Sequence, residues 1–346
     1  MFDIIELQNK LISVAGTSSF ESARAELIYD IATPLCDEVS IDCMGNVIAH
    51  INGKPGGKRI MISAHMDTIG IIATYIESDG RIRFENLGGI SAISLLNSTV
   101  CFENGVYGCI GIDNATTPRK RREDYSFNDM FVDIGVKSRE EVLRLISLGD
   151  TAAYTGSVYQ QGDSIVSIYL DNLIAVSIQL CVMQQIEKSE NDLYFVFSVQ
   201  EEIGALGAEV AAKCICPDIG IAIDVTESED SCGATIPGLC VCGGGAAIKI
   251  RDGSVTCNRQ IVELLRTVAR CQNIPHQCEI LLGGGTDTSP IQASRSGVLS
   301  CCISVPTRYI HSQSEMCSYK DVENVIRLLL ATITQSINLN GVKLHG

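Results

Sequence analysis

Five side chains of the kinds that bind metal ions follow short apolar runs along this chain, and they constrain its fold more than any other feature. The set contains two histidines and three carboxylates: His65, Asp171, Glu202, Asp224 and His311. Short apolar runs predict buried strands, and open α/β sheets place their functional sites just past strand ends. The chain must therefore fold so that residues far apart in sequence meet at one edge of a sheet.

The rest of the sequence agrees with such a sheet. After residue 165 strand-like and helical patterns alternate: helix 172–187, strand 193–199, helix 204–213, strands 219–223 and 246–251, helices 258–272 and 288–296, strand 298–304 and helix 319–337. The first part of the chain adds helices 4–14 and 20–33, a hairpin over 38–51 and a strand at 59–64. This alternation predicts an α/β layered domain with a largely buried sheet.

A different texture separates the first candidate ligand from the second. His65 and Asp171 are 106 positions apart (171 minus 65), and from 69 to 161 the chain consists mostly of short β-like runs broken by Gly, Asn and Asp. The sequence therefore predicts a metal-binding domain formed by 1–68 and 162–346, split by an inserted, mainly β domain.

The charge balance argues against two classes of partner. The chain has 41 acidic and 26 basic residues, a formal net charge of -15, which excludes an extended surface for nucleic acid or anionic membrane. The basic run 119–122 is too short for such a surface and is predicted to be a solvated loop tip. No stretch approaches the roughly 20 apolar residues of a membrane span, and the N-terminus lacks the basic start of a signal peptide. We therefore expect a cytoplasmic protein.

The cysteines predict no disulfide framework. The 16 cysteines are scattered, and several lie in apolar runs, so we expect reduced thiols. Cys214 with Cys216 and Cys240 with Cys242 form C-x-C pairs that lack a partner pair, and we interpret them as small buried side chains.

Two imidazoles and three carboxylates are enough to hold two divalent ions that share one water. We choose Asp171 as the carboxylate that bridges the ions. His65 and Asp224 would then complete the ligands of one ion, while Glu202 and His311 would complete those of the other. A lone histidine or acid at a strand end is more often structural, but the combination favours a two-metal hydrolase.

Two further carboxylates lie beside these ligands. Glu201 precedes Glu202, and successive side chains of an extended segment point opposite ways, so Glu201 is predicted to stay unbound and to act as general base. Asp67 lies two residues past His65 and is predicted to accept the second imidazole N–H of that histidine and fix its tautomer.

Several motifs together resemble the tetrahedral aminopeptidases, the glutamyl-aminopeptidase and "cellulase-like" family of dinuclear metallopeptidases. They are Ala64-His65-Met66-Asp67, Leu170-Asp171-Asn172, Val199-Gln200-Glu201-Glu202-Ile203-Gly204, Asp224-Val225-Thr226, Gly284-Gly285-Thr286-Asp287 and Pro306-Thr307-Arg308-Tyr309-Ile310-His311-Ser312. The resemblance implies a zinc-peptidase-like three-layer α/β/α domain, an inserted β-barrel-like domain used in dimerisation, and dimers assembled into a hollow dodecamer.

The same resemblance implies removal of N-terminal residues from short peptides with zinc or cobalt. It assigns the same five ligands, Glu201 as base and Asp67 as orienting carboxylate, and it implies a cis peptide between Asp171 and Asn172. Thr68 and Leu173 depart from the family pattern, which usually has Glu and Arg there.

The residue that is removed is not evident from the sequence. Thr286, Asp287 and the run Ile280-Leu281-Leu282 are candidates to line the substrate pocket. Two other functions stay open: a metal-dependent deacylase of N-acyl amino acids, and a metal-binding scaffold without catalysis. The free carboxylate of Glu201 argues against the scaffold, because a structural site has no use for it.

Overall fold

A computed structural model describes residues 2–113, 124–230 and 238–338. Its helices are α1 (Ile4–Ile12), α2 (Ser22–Ala32), α3 (Ala92–Leu95), α4 (Arg139–Val142), α5 (Leu170–Gln185), α6 (Leu206–Ile215), α7 (Arg259–Cys271), α8 (Thr288–Ala293) and α9 (Tyr319–Ile333). The predicted loop tip at 119–122 lies outside the described residues.

The strands fall into a large sheet and a barrel. The large sheet contains β1 (Glu38–Ile41), β2 (Val47–Ile51), β3 (Arg59–His65), β10 (Tyr159–Gln161), β11 (Ser164–Ser167), β12 (Asp192–Ser198), β13 (Ile219–Glu227), β14 (Ala246–Arg251), β15 (His276–Ile280), β16 (Leu299–Arg308) and β17 (Glu315–Ser318). The barrel contains β4 (Gly70–Ile76), β5 (Ile82–Leu87), β6 (Thr99–Phe102), β7 (Tyr107–Ile112), β8 (Met130–Asp133) and β9 (Thr151–Tyr154).

The centre of the large sheet is parallel. Its order is β1-β2-β12-β3-β13-β16-β17-β11-β10, with β14 pairing to β16 and to β15. Strands β12, β3, β13 and β16 all run in the same direction, so their carboxyl ends meet at one edge, where ligands bind in open α/β sheets. This edge carries the candidate site.

Helices cover both faces of the sheet, as the alternating pattern predicted. One apolar cluster joins the sheet to α1, α2, α5, α7 and α9, and a second joins the opposite face to α6 and α8. On β3, Ile60 and Ile62 face the first cluster while Met61 faces the second, which explains why this strand reads as a continuous apolar run. The three-layer α/β/α fold is confirmed.

The barrel closes in the order β4-β5-β8-β7-β6-β9, so the expected mainly β, barrel-like unit is present between β3 and α5. Closure removes the free strand edges of a small sheet. Strand β10 lies within 69–161, the limits that we propose for the insertion, but it pairs in the large sheet.

The described residues also bear on the expected free thiols and on the expected absence of a membrane span. All described cysteines are free thiols, in agreement with the prediction. The expectation that the C-x-C cysteines are buried is wrong for most of them, since only Cys240 is buried, Cys216 and Cys242 are half-buried and Cys214 is exposed. None of the described helices has the length and apolar character needed to span a bilayer.

Candidate metal centre

His65, Asp171 and Asp224 form one histidine-carboxylate cluster, which we call the strand group. His65 ends β3, Asp224 lies in the neighbouring strand β13, and Asp171 lies at the start of α5. The Nε2 atom of His65 lies 3.2 Å from Oδ1 of Asp171 and 3.8 Å from Oδ1 of Asp224. The ligand atoms of the three residues lie within 4.8 Å of one another, close enough to bind a single ion.

Asp171, Glu202 and His311 form a second cluster, which we call the turn group. Glu202 lies in the turn after β12, and His311 lies in the turn after β16 with a left-handed φ of 63°. The Nε2 atom of His311 lies 3.1 Å from Oδ2 of Asp171 and 3.4 Å from Oε1 of Glu202. Asp171 thus offers one oxygen to each group, which is the placement that a bridging ligand needs.

Glu201 belongs to neither group. Its Oε2 atom lies 3.9 Å from Nε2 of His65, so it reaches the same centre from the side. The sequence predicted an extended segment here, and that prediction is wrong. Gln200 has a left-handed φ of 58° and a turn follows. The turn, rather than strand alternation, gives the two neighbouring glutamates different positions.

Burial and charge shift the acidities of the centre in opposite directions. Burial raises the pKa of Glu201 well above its ordinary value, an effect that His65 opposes and Asp224 reinforces. Burial would also raise the pKa of Asp171, but the His311 and His65 imidazoles hold it well below its usual range. Burial lowers the pKa of His311, yet its two carboxylate neighbours raise it to about 12. The carboxylates of the strand group and of the turn group therefore stabilise positive charge close to them.

Asp67 contacts the centre in two ways, and the atom nearest to the His65 imidazole is its backbone oxygen rather than the carboxylate that the sequence predicted. Its backbone oxygen lies 3.1 Å from Nδ1 of His65, and its Oδ1 atom lies 3.5 Å from the same nitrogen. Its carboxylate also accepts hydrogen bonds from the backbone N–H groups of Glu201 and Glu202, at 2.9 and 3.2 Å, and from the hydroxyl of Ser18 at 2.6 Å. Asp67 therefore fixes the turn that carries both glutamates as well as the imidazole.

Two groups that hold the turn group gave no signal in the sequence. Buried Glu315 accepts hydrogen bonds from the backbone N–H of Asp171 at 2.9 Å and from that of His311 at 2.8 Å. The backbone oxygen of Gly89, in the segment after β5, accepts from Nδ1 of His311 at 3.0 Å. Glu315 lies three residues past the Pro306–Ser312 motif, but no apolar run marked it, and Gly89 acts only through its backbone.

A cavity of about 820 Å³ opens over both groups. Of the candidate pocket residues, Thr286, Leu281 and Leu282 line it, whereas Ile280 does not. Asp287 does not support the same prediction, because its buried carboxylate accepts hydrogen bonds from the Ser63 and Ser198 hydroxyls at 2.6 and 2.5 Å and is absent from the cavity wall. Its position indicates a structural role under the sheet edge.

Other features implied by the resemblance can be located. The peptide bond between Asp171 and Asn172 is cis, as expected. Thr68 is buried and its hydroxyl donates to the Gly16 oxygen, while Leu173 is buried in the core. Neither residue belongs to the groups that could hold a metal.

The donor set fits divalent cations. The centre holds two imidazoles and four carboxylates, of which those of Asp171 and Asp224 are buried and those of Glu201 and Glu202 are half-buried. Charge of one sign in such a site is costly unless it is paired with the opposite charge or with metal. Imidazole nitrogen and carboxylate oxygen suit zinc, cobalt and manganese. The geometry therefore supports two adjacent cation positions that share Asp171.

Comparison with known proteins agrees with this geometry. A family model described as M42 glutamyl aminopeptidase matches residues 45–328. A protein of Acetivibrio thermocellus is 39% identical over 331 residues, covering 96% of this chain and 98% of its own length. A lysyl aminopeptidase of Pyrococcus furiosus is 34% identical over 347 residues, covering 95% of this chain and 96% of its own length.

Solved structures show the same architecture. An aminopeptidase from the archaeon Desulfurococcus kamchatkensis superposes with a TM-score of 0.92 at 34% identity, covering 96% of this chain and 95% of that one. The TET1 peptidase of Pyrococcus horikoshii superposes with a TM-score of 0.87 at 29% identity, covering 96% of this chain and all of that one. It is described as able to assemble into a tetrahedron or a large octahedral shell.

Proposed function

The chain belongs to the M42 glutamyl aminopeptidase family, whose members are metal-dependent hydrolases of peptide bonds, and from this premise we propose a dinuclear aminopeptidase that removes N-terminal residues from short peptides. The single observation that carries the proposal is the pair of histidine-carboxylate groups that share Asp171, with the carboxylate of Glu201 beside them. We propose zinc or cobalt as the ions, since both accept this donor set.

Each proposed ligand has a defined place. The strand group would hold one ion through His65 and Asp224, the turn group would hold the other through Glu202 and His311, and Asp171 would contact both. When bound, divalent ions supply an acidified water and polarise the peptide carbonyl.

Glu201 performs the proton transfers in this proposal. It takes a proton from the attacking water and passes it to the leaving amine. Its Oε2 atom lies 3.9 Å from Nε2 of His65, so its carboxylate adjoins the position at which a water between the two groups would react. Asp67 positions Glu201 by accepting a hydrogen bond from the backbone N–H of Glu201.

The test is the isosteric variant Glu201→Gln. We expect turnover of leucyl-arylamide to fall by about 10² to 10⁴-fold, with the metal content of the purified protein unchanged. Unchanged turnover would rule out Glu201 as the base. Cleavage of N-acyl amino acids by the native protein, without turnover of free-amine substrates, would instead identify a deacylase.

We further propose that the protein associates with itself to dimers and, like the shells described for its structural neighbours, to a dodecamer. Three exposed apolar side chains within six positions after α4 support this proposal, because exposed apolar side chains grouped together mark interaction sites. They are Leu143, Leu145 and Leu148, with 50%, 45% and 53% of their surface exposed. Light scattering coupled to size-exclusion chromatography tests it: a particle of about 12 subunits is expected by analogy with those shells, and a monomer would contradict it.

A further inference from the structure

Glu227 provides an acidic group in the cavity wall, away from the metal centre. It is the last residue of β13, is exposed, and lines the cavity three residues beyond Asp224. At about 3.3 Å per strand residue its Cα atom lies about 10 Å from that of Asp224. Within 2–113, 124–230 and 238–338, its side chain makes no ion pair or hydrogen bond.

The cationic side chains in the described part of this wall are already paired. Buried Lys249 forms an ion pair with Glu279 and lies 3.5 Å from Oδ2 of Asp252. Arg308 donates two hydrogen bonds to Asp230, at 2.8 and 2.6 Å. Paired cations of this kind neither offset the charge of Glu227 nor favour an anionic substrate side chain.

The cavity wall also offers apolar surface. Leu281 and Leu282 line it, and 59% of the Leu282 surface is exposed. A substrate side chain with an aliphatic stem and a cationic end can cover such leucines and keep its charge in contact with a carboxylate. Lysine and arginine have this construction, whereas a leucine side chain would use only the apolar part.

We propose that Glu227 determines specificity by favouring peptides whose first residue is Lys or Arg. The inference rests on the proposed function, in which two divalent ions balance the charges of Asp171, Glu201, Glu202 and Asp224. The carboxylate of Glu227 then faces the substrate as a negative charge that the centre does not neutralise. Charge complementarity of this kind discriminates between substrates by attraction to one charge and repulsion of the other.

The experiment measures kcat/KM for lysyl-, arginyl-, leucyl- and glutamyl-arylamides. In Glu227→Gln we expect the values for the lysyl and arginyl substrates to fall about threefold to tenfold, the size of a partly exposed ion pair, and the leucyl value to stay within about twofold. Glu227→Lys should in addition raise the glutamyl value. Glu323→Gln, which removes an exposed carboxylate of α9, is the matched control and should leave all four unchanged.

The results distinguish failure of the proposed role of Glu227 from failure of the proposed aminopeptidase function. If the native protein cleaves none of the four substrates, the aminopeptidase proposal fails. If it cleaves leucyl-arylamide but Glu227→Gln lowers all four values equally, or lowers none, only the role of Glu227 is overturned. The lysyl preference should also shrink between about 0.05 and 0.5 M salt, because salt screens a partly exposed charge pair.

Discussion

The strand group and the turn group are built from the same residue types, but the fold holds them in different ways. His65 and Asp224 lie on adjacent parallel strands, and only 2% of the His65 side chain is exposed. Glu202 and His311 lie in turns, and 28% of the His311 side chain is exposed. Sheet register therefore places one half of the centre. The buried carboxylates of Asp67 and Glu315 and the backbone oxygen of Gly89, which lies outside the large sheet, place the other half. Substitutions that alter one half of the centre or both halves test this difference.

Asp171→Asn should have the largest effect, because it alters the residue that both groups share. We expect affinity for both ions to fall by more than the roughly 100-fold that loss of an outer partner costs, and peptidase activity to fall with it. Metal analysis after dialysis measures the first effect and an arylamide assay the second. Asp30→Asn, at an exposed site on α2, is the control; two retained ions in Asp171→Asn would contradict a shared ligand.

His65→Ala and His311→Ala compare the two halves directly. Each should remove one ion, but they should differ in the stability of the metal-free protein. Loss of buried His65 leaves its carboxylate neighbours unpaired and should lower the free energy of unfolding by about 3 kcal/mol. Loss of the partly exposed His311 should cost about 1 kcal/mol or less. Denaturant unfolding measures both, and equal losses would show that the two halves are held alike.

The same contrast explains how much of the site could be predicted from sequence. His65 and Asp224 belong to apolar runs that become parallel strands, so the rule that sites follow strand ends places them. Glu315 gives no such signal, since its role depends on a contact with Asp171 across 144 positions. Asp287 ends a recognisable motif, yet its side chain contacts Ser63 and Ser198 under the sheet edge. A sequence motif does not reveal which way a side chain points.

The fold also contains some elements that the local sequence pattern predicts and others that depend on contacts with distant parts of the chain. The parallel strands and most of the long helices follow from periodicity, as does the mainly β insertion. Strands β15 and β17 are short and carry polar residues such as His276 and Glu315, so their apolar pattern is too weak to identify them. Their pairing partners lie elsewhere in the chain and are known only from the structure.

Gly89→Ala should weaken the turn group alone. A Cβ atom at this position would lie 2.7 Å from the Cε1 and Nδ1 atoms of His311, so the imidazole must move and lose its hydrogen bond to the Gly89 oxygen. We expect the affinity of one ion to fall by about 10 to 100-fold, the usual cost of losing an orienting partner, while the other ion stays bound. Titration calorimetry of the metal-free protein would resolve the two sites.

Gly105→Ala is the control for this comparison. Gly105 lies in the barrel turn between β6 and β7, and an added Cβ would meet no atom within 4 Å, although its φ of 84° disfavours a side chain. It should lower stability slightly and keep both ions. Equal weakening of both ions in Gly89→Ala would mean that the barrel contact supports the whole centre.

Glu21→Gln should produce the smallest change, a shift in the pH dependence of stability. Glu21 accepts a hydrogen bond from the backbone N–H of Gln200, beside the turn group, and burial together with the charge of Asp67 raises its pKa from 4.5 to about 7. A raised pKa means that the folded state binds the proton more tightly than the unfolded state. The stability that this provides is complete below about pH 4.5 and is lost as the pH rises towards 7.

The melting temperature of the metal-free protein should therefore fall between pH 5 and pH 8, and in Glu21→Gln the fall should be smaller by about 2 to 6 °C. Glu26→Gln, at an exposed site on α2, the helix that begins directly after Glu21, should reproduce the native profile. Other buried carboxylates with raised pKa values contribute to the same fall, including Asp321, whose pKa burial raises to about 6, so the difference between the two variants isolates the contribution of Glu21. Identical profiles would show that Glu21 is already ionised in the folded protein and that the turn group is held without a proton on this residue.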